Sequence, residues 1–487
     1  MSDYKPLTNP RERRKSPDDQ GFSDEFQTRF AEGDFARSAT PNIAPESATA
    51  KPRTDDTAKE KKTASDRIGS VQDFLKRGHV ISFVGLLLFT AFVYFRPYEY
   101  SASLAFLSSG AKWIAGFTLL IFLPSQLALE GNLTSRPPEV NLLLLLTLLA
   151  LLSLITAISL SEAWDNVVEY LKVVAMFIVM VNVVRTEGRL RWMLWIALAV
   201  SVTTSIGAIS DYQAGRLLTG GERIKGSIGG LFENPNDLAL HLATIVPLAV
   251  SLFVGGRHVM KLIYLACGVL MIAAIICTFS RAGFLGLIAA SLVLAWKLGR
   301  KNRTLVIIGS LIAIAAVVVL APAEYGGRLN SIWGGGDTGS ANARQELFWR
   351  SLLVALRYPL LGVGMGNFHF RSIHEQVSHN SFTQVGSELG IPAAILYVLF
   401  MITSIKRLRH IERETLGSKE NAKFYYLSVG LQASLVGYMV ASFFASVAFL
   451  WYIYYLVGYA VCVSRLYATV KAKEEVAEME GPASYLG

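Results

Sequence analysis

The chain has 487 residues, 52% hydrophobic and 17% charged, with a mean hydropathy of +0.40. A soluble domain carries about 25% charged residues, so this composition excludes a soluble enzyme on an anchor and points to a polytopic membrane protein. The net charge of +9 implies no nucleic-acid partner, because residues 1–78 hold 15 Lys and Arg against 14 Asp and Glu. The basic excess lies in short loops between apolar runs, where membrane topology requires it.

Residues 1–78 are rich in Ser, Thr, Pro, Asp and Lys and read as a disordered cytoplasmic tail. The first apolar run begins near His79, too late for a cleaved leader. Taking about 20 apolar residues per span, we read twelve helices, at 80–95, 103–123, 140–160, 164–184, 190–209, 236–254, 260–278, 282–297, 304–321, 389–405, 424–443 and 446–466. Residues 79–321 hold the first nine, 322–388 form a large outer loop, 389–466 hold the last three, and 467–487 are a cytoplasmic tail. Cys267, Cys277 and Cys462 all lie in apolar runs and read as small hydrophobes, with no disulfide framework and no metal site.

Loop charge orients the chain. With the N-terminus inside, the cytoplasmic loops and their flanks hold 16 Lys and Arg, whereas the short outer ones hold five: Arg96, Arg216, Arg223, Lys225 and Arg281. Both termini are then cytoplasmic. Two sizeable segments are left outside, 210–235 and 322–388. In the second, a Gly-rich stretch, WGGGDTGS, precedes ANARQELFWRSLLVALRYP, whose pattern predicts an amphipathic helix at the membrane surface. Phe348, Leu352, Ala355 and Leu356 share one face, with Arg350 and Arg357 roughly opposite.

Three groups on the outer face draw attention. Arg281, in TFSRAGFLG, reads either as a cation snorkelling to the headgroups or as a planar donor pair for phosphate oxygens, with Ser280, Ala282 and Gly283 leaving room for a ligand. Arg223, in ERIKGSIGGLFENPND, is either a solvated loop cation or its partner on a diphosphate. His379, in SHNSFTQVGSELG, is either a solvated loop residue or a base where the chain re-enters the bilayer. HEQVSH fails the HExxH zinc pattern because residue 378 is Ser, and GVGMGNF, 362–368, lacks a βαβ unit and reads as a glycine-rich turn.

Five stretches occur in order: RPYEY, RIKGSIGGLFENPNDLAL, SRAGFLG, ARQELFWRSLLVALRYPLLGVGMGNF and HNSFTQVGSELGIP. Through them, residues 80–465 resemble the O-antigen ligase and O-antigen polymerase superfamily of bacterial inner membranes. The resemblance implies an all-α polytopic glycosyltransferase of GT-C-like architecture, with about twelve transmembrane helices, a large periplasmic loop and a periplasmic active site. It implies an undecaprenyl-diphosphate-linked glycan as donor, lipid A-core or another glycan or protein as acceptor, and neither metal nor cofactor. It marks Arg223, Arg281 and His379 as catalytic and matches Arg344 to a recurrent family arginine; Arg344, Lys225, Asn380 and Arg216 are read as substrate-binding. In that chemistry the two arginines stabilise the departing diphosphate. A neutral His379 takes the proton of the attacking hydroxyl, nearby arginines help to keep it neutral, and one displacement inverts the anomeric centre. A polymerase and a protein O-oligosaccharyltransferase keep this constellation and differ in the acceptor. A membrane solute transporter is the reading from another class. Transporters show internal repeats and midplane ionisable groups, but the two halves show no clear repeat, and Glu169 and Lys172 are spaced for a local ion pair.

Overall fold

Short polar residues and prolines start most of the long helices. Asn234, Ser280 and Asn380 each accept a backbone N–H from the first turn they precede, and Pro235 and Pro138 occupy first-turn positions where a missing N–H costs nothing. The computed structural model describes residues 79–95, 102–216, 232, 234–256, 258–300, 303–304, 338–373 and 375–479. The expected tail 1–78, the span at 304–321, and Arg223 and Lys225 lie outside these residues.

The described helices run in chain order as follows. The first four are α1 His79–Phe95, α2 Gly110–Glu130, α3 Pro138–Leu152 and α4 Leu160–Val183. Then come α5 Glu187–Gln213, α6 Pro235–Gly255, α7 His258–Cys277 and α8 Arg281–Gly299. They are followed by α9 Thr338–Arg357, α10 Ser381–Leu389, α11 Ile391–Thr415, α12 Ala422–Ala441 and α13 Trp451–Met479. Among the described residues, ten helices are long and apolar enough to cross a membrane, and α1 is a shorter apolar one. These eleven fall on eleven of the twelve runs read from the sequence, and nearly all of the remaining run, 304–321, lies outside the described residues. This is an all-α polytopic membrane protein.

The boundaries differ in instructive places. The second span starts at Gly110, because Ala102–Ser109 forms a 3-10 turn. The last begins at Trp451 and runs to Met479, well past residue 466. Lys172 pairs with Glu169 one turn earlier on α4, so that pair is local. The three cysteines are free.

Helix α6 is buried on nearly every side and packs against α7, α8 and α12. Small residues allow close approach: a Cβ on Gly286 of α8 would lie 2.8 Å from the Ala441 Cβ of α12. Farther along, the Tyr425 hydroxyl of α12 donates to the Lys297 carbonyl of α8 at 3.0 Å. The two helices are therefore antiparallel, and the start of α8 meets the end of α12. α10 packs on α9 and α11 at the same end of the bundle, against the turn that follows α12.

Candidate active site

Arg281 is the first residue of α8. It follows Phe279, whose φ of 52° puts a bulky residue in the left-handed region. The Ser280 hydroxyl accepts the Gly283 N–H at 3.2 Å and donates to Asn236 Oδ1 at 2.9 Å. One side chain thus caps α8 and ties it to the first turn of α6.

His379 has a φ of 49°. A non-glycine residue in this region costs about 1–2 kcal/mol and persists only where its surroundings hold it. The holding contacts flank it. The Ser378 hydroxyl lies 3.0 Å from the Ser446 hydroxyl. The Ser381 hydroxyl donates to the Ala445 carbonyl at 2.7 Å and accepts the Val447 N–H at 3.0 Å. Both anchors lie between α12 and α13, beside the start of α8. The half-buried imidazole is held below its usual basicity, first by burial and then by the positive charge of Arg344 on α9. His379 is therefore neutral near pH 7.

Asn380 caps α10. Its Oδ1 accepts the N–H groups of Phe382 and Thr383 at 2.9 and 3.0 Å, and its Nδ2 is buried with no partner among the described residues. A buried amide left with an unused donor costs about 1–3 kcal/mol. Arg216 follows α5 and pairs with Asp211, Nε to Oδ1 at 2.7 Å, while its exposed guanidinium also reaches the Ser210 hydroxyl at 3.2 Å.

The glycine-rich turn is real and has a structural job. Gly362, Gly364 and Gly366 have φ of 66°, 96° and 78°. A Cβ on Gly362 would lie 2.3 Å from the Glu388 carbonyl carbon. The turn pairs its backbone with α10, Val363 N–H to Ser387 O and Gly364 N–H to Glu388 O, each at 3.0 Å. The buried Glu388 carboxyl accepts the Gly366 and Phe368 amides. The opposite side of the turn meets the start of α4, where Asn367 Oδ1 accepts the Ser159 N–H at 2.6 Å.

Helix α9 forms where the outer-loop pattern predicts one, but its faces need correcting. Leu347, Ser351, Val354 and Ala355 point inward, whereas Trp349, Leu353 and Leu356 are 54%, 61% and 59% exposed. Leu356, read on one face with Phe348, Leu352 and Ala355, lies instead with Trp349 and Leu353 on the exposed one. The helix is apolar on two sides: it rests on α10 with one, and the other is exposed among the described residues.

The structure brings His379, Asn380 and Arg344 together and sets Arg281 at the same end of the bundle, whereas Arg216 is engaged at the end of α5. Sequence reasoning missed Ser378, Ser381, Asn236 and Glu388. Asn236, Ser378 and Ser381 hold Arg281 and His379 in place, and Glu388 holds the turn beneath them. Only the S–H–N–S spelling around His379 hinted at two of them.

Residues 266–398 match the family model described as O-Antigen ligase. No curated protein matches the chain. The matched stretch runs from within α7 into α11 and contains Arg281, Arg344, His379 and Asn380, while Arg216, Arg223 and Lys225 precede it. The match supports glycosyltransferase chemistry of the ligase or polymerase type, and over this stretch the multi-pass chain is similar to the O-antigen ligase superfamily.

Proposed function

We propose that the protein transfers a glycan from undecaprenyl diphosphate to an acceptor hydroxyl, with lipid A-core as the first acceptor to consider. The reaction takes place on the periplasmic face of a bacterial inner membrane, and both termini are cytoplasmic. The observation that carries this reading is His379 itself: a neutral imidazole on a left-handed backbone, pinned by Ser378 and Ser381 and facing the charge of Arg344.

His379 takes the acceptor proton as the hydroxyl oxygen forms the new bond at the anomeric carbon. The anomeric C–O bond breaks with its electron pair going to the diphosphate, and Arg281 and Arg223 stabilise that negative charge. Attack opposite the leaving group inverts the centre. Asn380 Nδ2 and Arg344 supply donors for sugar hydroxyls or phosphate oxygens, and Lys225 and Arg216 add positive charge at the approach. The exposed apolar stripe of α9, Trp349, Leu353 and Leu356, lies on the bilayer surface beside the lipid carrier.

The test is to incubate the purified protein with undecaprenyl-diphosphate glycan and a chelator, with and without lipid A-core, and to read the products by mass spectrometry. Glycan on lipid A-core is the expected result. Longer lipid-linked glycan without lipid A-core makes the protein a polymerase. No transfer to lipid A-core, glycan or protein acceptors, from folded protein, overturns the reading.

A further inference from the structure

A second site lies at the other end of the bundle. Helix α6 starts beside Ser280 and ends at Gly255 in the wall of a cavity of about 600 Å³. At about 1.5 Å per residue, the 21 residues of α6 separate the two by roughly 30 Å. The cavity is bounded by the starts of α5, α7 and α12 and the end of α6, so it opens at the depth where helices leave a bilayer.

Its lining is divided in two. Leu194, Leu198 and Leu252 supply apolar wall, and the Trp195 and Tyr264 rings, 5.3 Å apart, extend it. Its charged residues are Glu187, Arg191 and Lys423. Glu187 and Lys423 pair at 2.5 Å and link α5 to α12. The exposed Arg191, one turn along α5, has no ion pair among the described residues, so the lining carries a net positive charge.

A charged rim over an apolar chamber fits an amphiphile with an anionic head, and basic pockets between membrane helices hold acidic lipid headgroups. The volume falls within the roughly 300–1,000 Å³ of ordinary ligand sites. We propose that this cavity binds one anionic phospholipid, its phosphate between Arg191 and Lys423 and an acyl chain along Leu194, Leu198 and the Trp195–Tyr264 pair. The site is remote from the glycan-transfer reading and does not depend on it.

Native mass spectrometry of the full chain, released from detergent with phosphatidylglycerol or with phosphatidylcholine of the same acyl chains, tests this. We expect one phosphatidylglycerol adduct bound more tightly than the phosphatidylcholine one. Arg191→Gln, at a residue with no ion pair to lose, should weaken it about fivefold, and Arg191→Gln with Lys423→Gln should weaken it further, at about 1 kcal/mol per cation near a lipid headgroup. Equal binding of the two lipids, unchanged binding in Arg191→Gln, or no lipid adduct at all overturns the proposal. The first outcome marks a cavity any acyl chain fills, and the last marks one that belongs to a protein segment.

Discussion

The Glu388 carboxyl accepts the Gly366 amide at 2.8 Å, and this contact joins the glycine-rich turn to the helix that begins just after His379. Two amides favour the charged carboxylate, but burial opposes it and wins, raising the group from an ordinary 4.5 to about 8. Glu388 is therefore largely protonated at pH 7.

A raised folded-state pKa means that folding takes up a proton. The protein should be most stable below about pH 4.5 with respect to this group, and should lose that contribution as pH rises toward about 8. Glu388→Gln keeps the acceptor and removes the titration. Its thermal midpoint in detergent should equal or exceed the parent's at pH 8, and the slope between about pH 4.5 and 8 should flatten. An unchanged slope assigns the titration to another group.

His379→Asn separates backbone from chemistry. Asparagine tolerates the left-handed region, so expression and unfolding should match the parent while glycan transfer is lost. Full transfer by His379→Asn removes the imidazole from the mechanism.

The Arg344 charge helps to hold His379 below its ordinary 6.5. Activity that needs the neutral ring should fall only as pH drops through that lowered value. Arg344→Gln should move the acid limb of the pH–rate profile upward, toward 6.5. A limb that stays put leaves Arg344 with a binding role alone.

Arg281→Lys keeps a cation and loses the planar fork. Loss of a preorganised donor at a developing charge costs about 10²–10³-fold in rate, and transfer should drop by that order with insertion intact. Normal turnover in Arg281→Lys argues against bidentate diphosphate binding there.

Asn380 has two tasks that one substitution can divide. Asn380→Asp keeps a capping oxygen for Phe382 and Thr383 but removes the unpartnered Nδ2 donor. Stability should change by less than about 1 kcal/mol, whereas Asn380→Ala should lose about 1 kcal/mol with the cap. Both should lower transfer. An Asn380→Asp enzyme of full activity reduces the residue to a helix cap.

Apolar run length and capping residues are local properties, so the type and order of the described apolar helices were legible from the chain alone. So was a helix at the ARQELFW stretch. Several features depended on partners distant in sequence. The left-handed turn at His379 is held by Ala445, Ser446 and Val447, more than sixty residues away. Which side of α9 faces inward depends on where α10 packs, so Leu356 could not be placed from periodicity when both faces are apolar. Ser280 and Asn236 bond across 44 residues of chain, and Glu388 is neutral only because the fold removes it from water. Sequence determined which runs form long apolar helices and which side chains are candidates for chemistry; tertiary packing decided which of them meet and in what protonation state, because burial and long-range hydrogen bonds exist only once the helices are together.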